Sequence, residues 1–131
     1  MKIKKTINTP EIIFNKENCK LTFRGASYPI NAMIFYEPIK KELKKYLDEL
    51  VGLDKEIIII CEFTLLNSTS TRYIYDFFKY ANSFSKHNKP INVKWFYEKD
   101  DEGMELEGNI FKGSLKKLNF EVIGVDDLDN I

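Results

Sequence analysis

The chain has 131 residues, with 20 Lys and Arg against 20 Asp and Glu, so its formal net charge is zero. That length suits one domain with a core that needs no covalent staples, and the charge balance leaves no global field to draw it to nucleic acid or an anionic membrane. Cys19 and Cys61 lack CxxC spacing and read as free thiols of a reducing compartment, and no segment approaches the roughly 18 apolar residues of a membrane span, so a soluble cytoplasmic protein is expected.

After a basic, polar start, Glu11 to Phe14 and Lys20 to Arg24 read as the strands of a hairpin, with Leu21 and Phe23 alternating against Lys20, Thr22 and Arg24 and with Gly25 breaking the second strand. Asn31 is placed to cap a helix running from Ala32 to Val51 and closed by Gly52. Its apolar stripe is Phe35, Ile39, Leu43, Tyr46, Leu47 and Leu50. Lys41, Lys44 and Lys45 stand four residues from Glu37, Asp48 and Glu49 on a solvated face whose pairs are each worth a few tenths of a kcal/mol. Pro38 leaves two readings, a kinked helix or one that begins near Pro38 after a turn.

The stretch from Glu56 to Phe63 carries four isoleucines in a row and then Cys61, the continuous apolar pattern of a central parallel strand covered on both faces. A second helix follows from about Ser70, its buried stripe made by Ile74, Phe77, Phe78, Ala81 and Phe84. Between the two lies Asn67-Ser68-Thr69-Ser70-Thr71, a hydroxyl-rich helix start whose free N–H groups and dipole favour an anion. Ile91 to Tyr97 reads as a strand nearer a sheet edge, and Glu98 to Gly103 as an acidic turn. From Met104 an uneven stripe passes through Leu106, Ile110, Phe111, Leu115 and Leu118, weakened by Gly103, Gly108 and Gly113 at about 1 kcal/mol each. Phe120 to Ile123 is a candidate last strand, and residues 125–131 a fraying acidic tail. The order is therefore ββαβαβα with the last strand left open: an α/β fold, one domain over residues 1–131, its mixed β-sheet joined by crossover helices.

The inventory for catalysis is thin. His87 is the only histidine and lies in a polar helix end, and no glycine-rich phosphate loop, H-E-x-x-H or G-x-S-x-G is present. Glu98, Asp100, Asp101 and Glu102 fit no EF-hand spacing, and Glu62 reads as a structural carboxylate rather than a base. We expect a non-enzymatic protein with no cofactor and no metal. The hydroxyl run itself has two readings: a helix cap worth about 1 kcal/mol, or a phosphorylation site at Ser68 or Thr69.

Several unusual strings fall in order along nearly the whole chain: Thr9-Pro10 before Ile12 and Phe14; Leu21-Thr-Phe-Arg-Gly25 with Ser27-Tyr-Pro29 and Asn31-Ala32; Phe35-Tyr36 with Pro38; Phe63 with Leu66-Asn67-Ser68-Thr69-Ser70; and Trp95-Phe-Tyr-Glu-Lys-Asp-Asp101 with Met104. In these the sequence resembles the SiaC family of bacterial regulatory phosphoproteins. The resemblance implies a STAS-like domain, similar to anti-sigma-factor antagonists and used as a switch. It implies a Ser/Thr kinase of histidine-kinase-like fold, a PP2C-type phosphatase that reverses it, and an output protein, a diguanylate cyclase in the founding system, bound only by the unmodified form. By position the phosphoacceptor is Ser68, directly after Asn67; by residue type it is Thr69, because the family's Thr-Ser order is exchanged here. Asn67 stands where the anti-sigma-factor antagonists have Asp. On this reading Asn67, Ser70, Thr71, Arg72, Tyr75, Asp76 and Lys79 form the surface that the partners read. The alternative is a constitutive interaction scaffold that is never phosphorylated.

Overall fold

In the computed structural model, which describes residues 2–86 and 89–131, six strands form one mixed sheet in sequential order. The strands are β1 (Lys2–Ile3), β2 (Glu11–Asn15), β3 (Lys20–Ser27), β4 (Ile58–Leu66), β5 (Asn92–Glu98) and β6 (Asn119–Val125). Helix α1 (Ala32–Gly52) links β3 to β4, α2 (Ser68–Phe84) links β4 to β5, and α3 (Glu102–Ser114) links β5 to β6. The first three strands are antiparallel, and β3 through β6 run parallel. The hairpin, the three helices and the strands β4 and β5 stand where the sequence predicts them. The candidate last strand forms as β6, and β1, too short for a period, went unread.

Because right-handed crossovers between neighbouring strands always return on the same side, the sequential order puts all three helices on one face. The burial pattern agrees: Leu21, Phe23, Ile59, Cys61, Val93, Trp95 and Phe120 are buried, while the residues between them are mostly half-exposed. The isoleucine run is therefore not covered on both faces. Ile59 points into the core, whereas Ile58 and Ile60 lie on the open face, in register with Lys20 and Asn92 and with Thr22 and Lys94 respectively. Lysine stems beside an isoleucine give it apolar cover without a second layer of helices.

Several local readings also change. Gly25 does not end β3; at φ +106° it makes a bulge, and the strand continues to Ser27. Pro38 lies inside α1, which is unbroken from Ala32 to Gly52, and Asn31 Oδ1 accepts from the Ile34 N–H at 3.2 Å as expected of a cap. Tyr36, outside the predicted stripe, is among the buried residues of α1, while Phe35 and Tyr46 are only partly buried. Among the described residues the expected ion pairs within α1 do not form. Glu37 and Asp48 instead accept hydrogen bonds from Tyr73 and Tyr80 of α2, and Lys44 lies over the Tyr80 ring. Gly108 is a packing requirement rather than a weakness, since a Cβ there would lie 2.5 Å from Trp95 Cδ1. The acidic segment after Val125 carries a 3-10 turn over Leu128–Asn130 with Leu128 buried, and Asp129 reaches back across the open face to Arg24 at 3.4 Å.

Candidate functional site

The joint between β4 and α2 is where the hydroxyl cluster folds into two classes. Asn67 is the cap: its backbone is extended, its Oδ1 accepts from the Ser70 N–H at 2.9 Å, and its carbonyl accepts from the Thr71 N–H at 2.9 Å. The helix thus starts at Ser68, two residues earlier than the apolar stripe suggests. With an asparagine capping, the hydroxyls are not needed for that role. Ser68 and Thr69 occupy the first two helical positions, both exposed, and their Oγ atoms take no hydrogen-bond partner among the described residues. Their N–H groups belong to the first turn, which has no intrahelical acceptor for them. Arg72 lies one turn further on, four residues from Ser68, exposed and without a carboxylate within 4.0 Å among the described residues.

Ser70 and Thr71 are the structural pair. Ser70 is fully buried and receives the Ser27 hydroxyl at 2.8 Å, and Ser27 is in turn bonded to the Tyr36 hydroxyl. This chain of three hydroxyls ties the end of β3, the second turn of α1 and the first turn of α2 together. Burial pushes the Tyr36 phenol up, against the lowering effect of the neighbouring Ser27 and Ser70 hydroxyls, so it stays protonated. Thr71 Oγ1 donates back to the Asn67 carbonyl at 3.1 Å. Ser70 therefore cannot belong to a partner-facing surface, which corrects its expected placement: a fully buried hydroxyl is closed to a docking protein.

The remaining predicted surface residues divide between two sides of α2. Tyr75 turns toward α3, its ring 5.2 Å from Phe111 and its hydroxyl donating to Ser114 Oγ at 3.1 Å. Asp76 and Lys79 turn toward α1 and line a cleft between the two helices. Arg72 is exposed one helical turn from Ser68. Glu62 sits on the open face 3.9 Å from Arg24, and burial raises its carboxyl above the ordinary glutamate range despite that arginine. His87 lies outside the described residues, and among those described no group of three or more His, Cys, Asp or Glu is placed to hold a metal. No described helix is long and apolar enough to cross a membrane.

What sequence periodicity did not reveal is a rim of exposed apolar side chains at this end of the sheet. Ile30 is 100% exposed, Ile7 85% and Ile34 70%, with Met33, Leu65 and Tyr28 also open to solvent. Backbone bonds bring their segments together, Tyr28 N–H to Asn8 at 2.9 Å and Asn67 N–H to Ser27 at 3.0 Å. The signal was present in the sequence as apolar residues off the core stripe at the start of α1. Gathered exposed apolar groups of this kind mark interaction sites.

These features define a small mixed-sheet α/β domain whose accessible chemistry is concentrated at one strand-to-helix joint. The sequence matches the family model for SiaC family regulatory phosphoproteins over residues 3–125, and the chain belongs to that family. The fold is similar to a chain in the crystal structure of the diguanylate cyclase SiaD in complex with its activator SiaC from Pseudomonas aeruginosa, at TM-score 0.83 and 18% identity, with 95% of this chain and 99% of that chain covered. It is also similar to apo-SiaC from the same organism, at TM-score 0.74 and 18% identity, covering 94% of this chain and 95% of that one. No curated protein matches the sequence.

Proposed function

We propose that this protein is a non-enzymatic partner switch, in which Ser68, with Thr69 as the second acceptor, is reversibly phosphorylated and only the unmodified form binds an output protein. The observation that carries this reading is the pair of exposed hydroxyls at the start of α2, unbonded among the described residues, at the same end of the sheet as the exposed Ile30, Ile34 and Leu65. A phosphate on either would add about −1.5 to −2 charge beside free helix N–H groups and one turn from Arg72, without disturbing any bond of the fold. The modifying enzymes are a kinase of histidine-kinase-like fold and a PP2C-type phosphatase. The output protein is of the diguanylate cyclase type, a class supported by the SiaD–SiaC complex among similar folds.

Magnitudes decide where the switch acts. A helix N-terminus favours an added negative charge by about 0.3–1 kcal/mol, whereas moving a partner from mostly bound to mostly free takes about 5.5 kcal/mol. Local capping is too weak by several-fold. The phosphate must therefore stand inside the partner interface, where placing a charge against the apolar rim costs several kcal/mol of desolvation. Calorimetric titration of the host's diguanylate cyclases with Ser68→Ala and Ser68→Asp proteins tests this. The alanine protein should bind as the parent does, and the aspartate protein about 100-fold more weakly or not at all, a gap of roughly 2.7 kcal/mol. Equal binding by both would point to a constitutive scaffold instead.

A further inference from the structure

The sheet ends on β6, whose far side pairs with no strand among the described residues. The bonds at its two ends fix which backbone groups face outward. The Asn119 N–H donates to the Ile91 carbonyl at 2.9 Å, and the Val125 carbonyl accepts from the Lys99 N–H at 2.9 Å. In a strand the N–H and C=O of one residue point to the same side, and that side alternates along the chain. Asn119, Glu121, Ile123 and Val125 therefore bond to β5, in an unbroken register that sets Asn92 beside Asn119 and Glu98 beside Val125. Phe120, Val122 and Gly124 turn both groups to the free edge. The tail leaves that edge clear, since Asp129 reaches inward to Arg24 and Leu128 N–H to Glu98.

Sheet edges are commonly blunted by shortness, lysine, proline or a bulge. The opposite edge is blunted so: β1 has 2 residues and is followed by Lys4 and Lys5. β6 has 7 residues with no lysine, proline or bulge, and its Val122, Ile123 and Val125 are only half-buried. An edge of that kind is a template for another strand. The sequence of β6 also fits its own reverse. With Val122 on a two-fold axis normal to the sheet, Phe120 falls opposite Gly124 of a second copy, Glu121 opposite Ile123, and Asn119 opposite Val125. No like charges then stand directly opposite, and the two Glu121 carboxylates lie about 7–8 Å apart on the diagonal, each with Lys94 beside it in the register. The outward-facing residues of one copy meet the outward-facing residues of the other.

The helical layer extends the match. α3 packs over β5 and β6, and a two-fold normal to the sheet keeps the helices of both copies on one face. A helix centred on the last two strands would meet its mate about 10 Å away, close to the ordinary spacing of packed helices. Glu105 lies toward the Gly124 end of β6: it accepts from the Tyr97 hydroxyl at 2.7 Å, and Tyr97 pairs with Gly124. Lys112 lies toward the Phe120 end, lining a recess with Phe120, Lys116 and Glu121. α2 occupies the other side of α3, where Ser114 accepts from the Tyr75 hydroxyl. Neither Glu105 nor Lys112 has an ion-pair partner within 4.0 Å among the described residues, and Lys116 and Glu121 offset each other in sign. The two-fold reverses the order and sets Glu105 of each copy against Lys112 of the other. We propose that β6 is a self-pairing edge: two copies of this chain join β6 to β6 antiparallel, Phe120, Val122 and Gly124 each donating and accepting one backbone bond, into one continuous sheet. β5 separates β6 from β4, so this pairing and the phosphorylation of Ser68 stand or fall independently.

The test is sedimentation velocity of the full chain over a concentration series up to about 1 mM, with amide hydrogen exchange read by NMR at both ends of the series. The protein should pass from monomer to a species of twice its mass and stop there. The Phe120, Val122 and Gly124 amides should exchange fast in dilute solution and slow about tenfold on association, while those of Glu121 and Ile123 stay slow throughout. Val122→Pro removes an N–H that the fold does not use, as edge strands tolerate, and should abolish the dimer. Lys112→Glu should weaken association about tenfold, and Glu105→Lys combined with Lys112→Glu should restore it. Circular dichroism checks that each variant is folded, and the charge exchange keeps the test decisive if the proline variant is not. A monomer at every concentration, protection gained equally by Glu121 and Phe120, or a dimer that both Val122→Pro and Lys112→Glu leave unchanged would overturn the proposal.

Discussion

The Ser27 hydroxyl donates to Ser70 Oγ across 2.8 Å, joining the last residue of β3 to the first turn of α2 in a site closed to water. This bond divides the hydroxyl run: Ser70 is consumed by the fold, and Ser68 and Thr69 are left to solvent. Ser70→Ala should cost about 1–3 kcal/mol, because it leaves the buried Ser27 hydroxyl without its acceptor. Ser68→Ala and Thr69→Ala should stay within about 0.5 kcal/mol of the parent. Urea denaturation of the three variants measures both effects.

Asn67 caps α2 through Oδ1, and no neighbouring hydroxyl substitutes for it. Asn67→Ala should therefore lose about 0.5–2 kcal/mol. Asn67→Asp keeps the acceptor and adds a charge that the helix N-terminus favours, so its melting temperature should match or exceed the parent's. Thermal melts of the two proteins give the comparison, and a cost for aspartate equal to that for alanine would refute the capping role.

Gly108 and Gly113 lie in one helix and should respond oppositely to alanine. A Cβ at Gly108 meets Trp95 at 2.5 Å, whereas one at Gly113 meets nothing within 4 Å. Gly108→Ala should destabilise by about 1–3 kcal/mol through overpacking and shift the emission of the sole tryptophan. Gly113→Ala should stabilise by about 0.5–1 kcal/mol. Denaturation followed by tryptophan fluorescence reads both.

Glu62 supplies a pH dependence. Burial raises its carboxyl above the ordinary glutamate range, with Arg24 and Lys20 partly opposing. A raised carboxyl binds its proton more tightly in the folded state, so its stabilising contribution is full below the unfolded glutamate range and is lost as pH rises through the folded value. Glu62→Gln removes that loss. Stability measured by urea at mildly acidic and at neutral pH should change less in the variant than in the parent; a larger change would mean that the pair with Arg24 outweighs burial.

Much of the fold was legible because period and punctuation agreed. Leu21 and Phe23 alternate as a one-sided strand should, and Ile74, Phe77, Phe78 and Ala81 mark the inner face of α2. The unread features depend on neighbours distant in sequence. Four consecutive isoleucines look the same whether a second layer covers Ile58 and Ile60 or lysine stems flank them, and only strand order distinguishes the two. Gly108 reads as a weak helical position until Trp95 is placed beneath it. Ser70 and Ser68 are the same residue type two positions apart, and it is Ser27, more than 40 residues earlier, that makes one structural and leaves the other free. Ile34 stands off the core stripe of α1 in the sequence, but its place in a rim with Ile30 and Leu65 depends on the fold, which sets the loop after β3 beside the start of α2.

The account stands most directly on phosphopeptide mass spectrometry of the protein isolated from its own cells, mapping the tryptic fragment from Glu56 to Arg72. It predicts a phosphorylated fraction carrying the group on Ser68 or Thr69, with none on buried Ser70. Full coverage of that fragment across several growth conditions without phosphate, or phosphate on Ser70 alone, would contradict it.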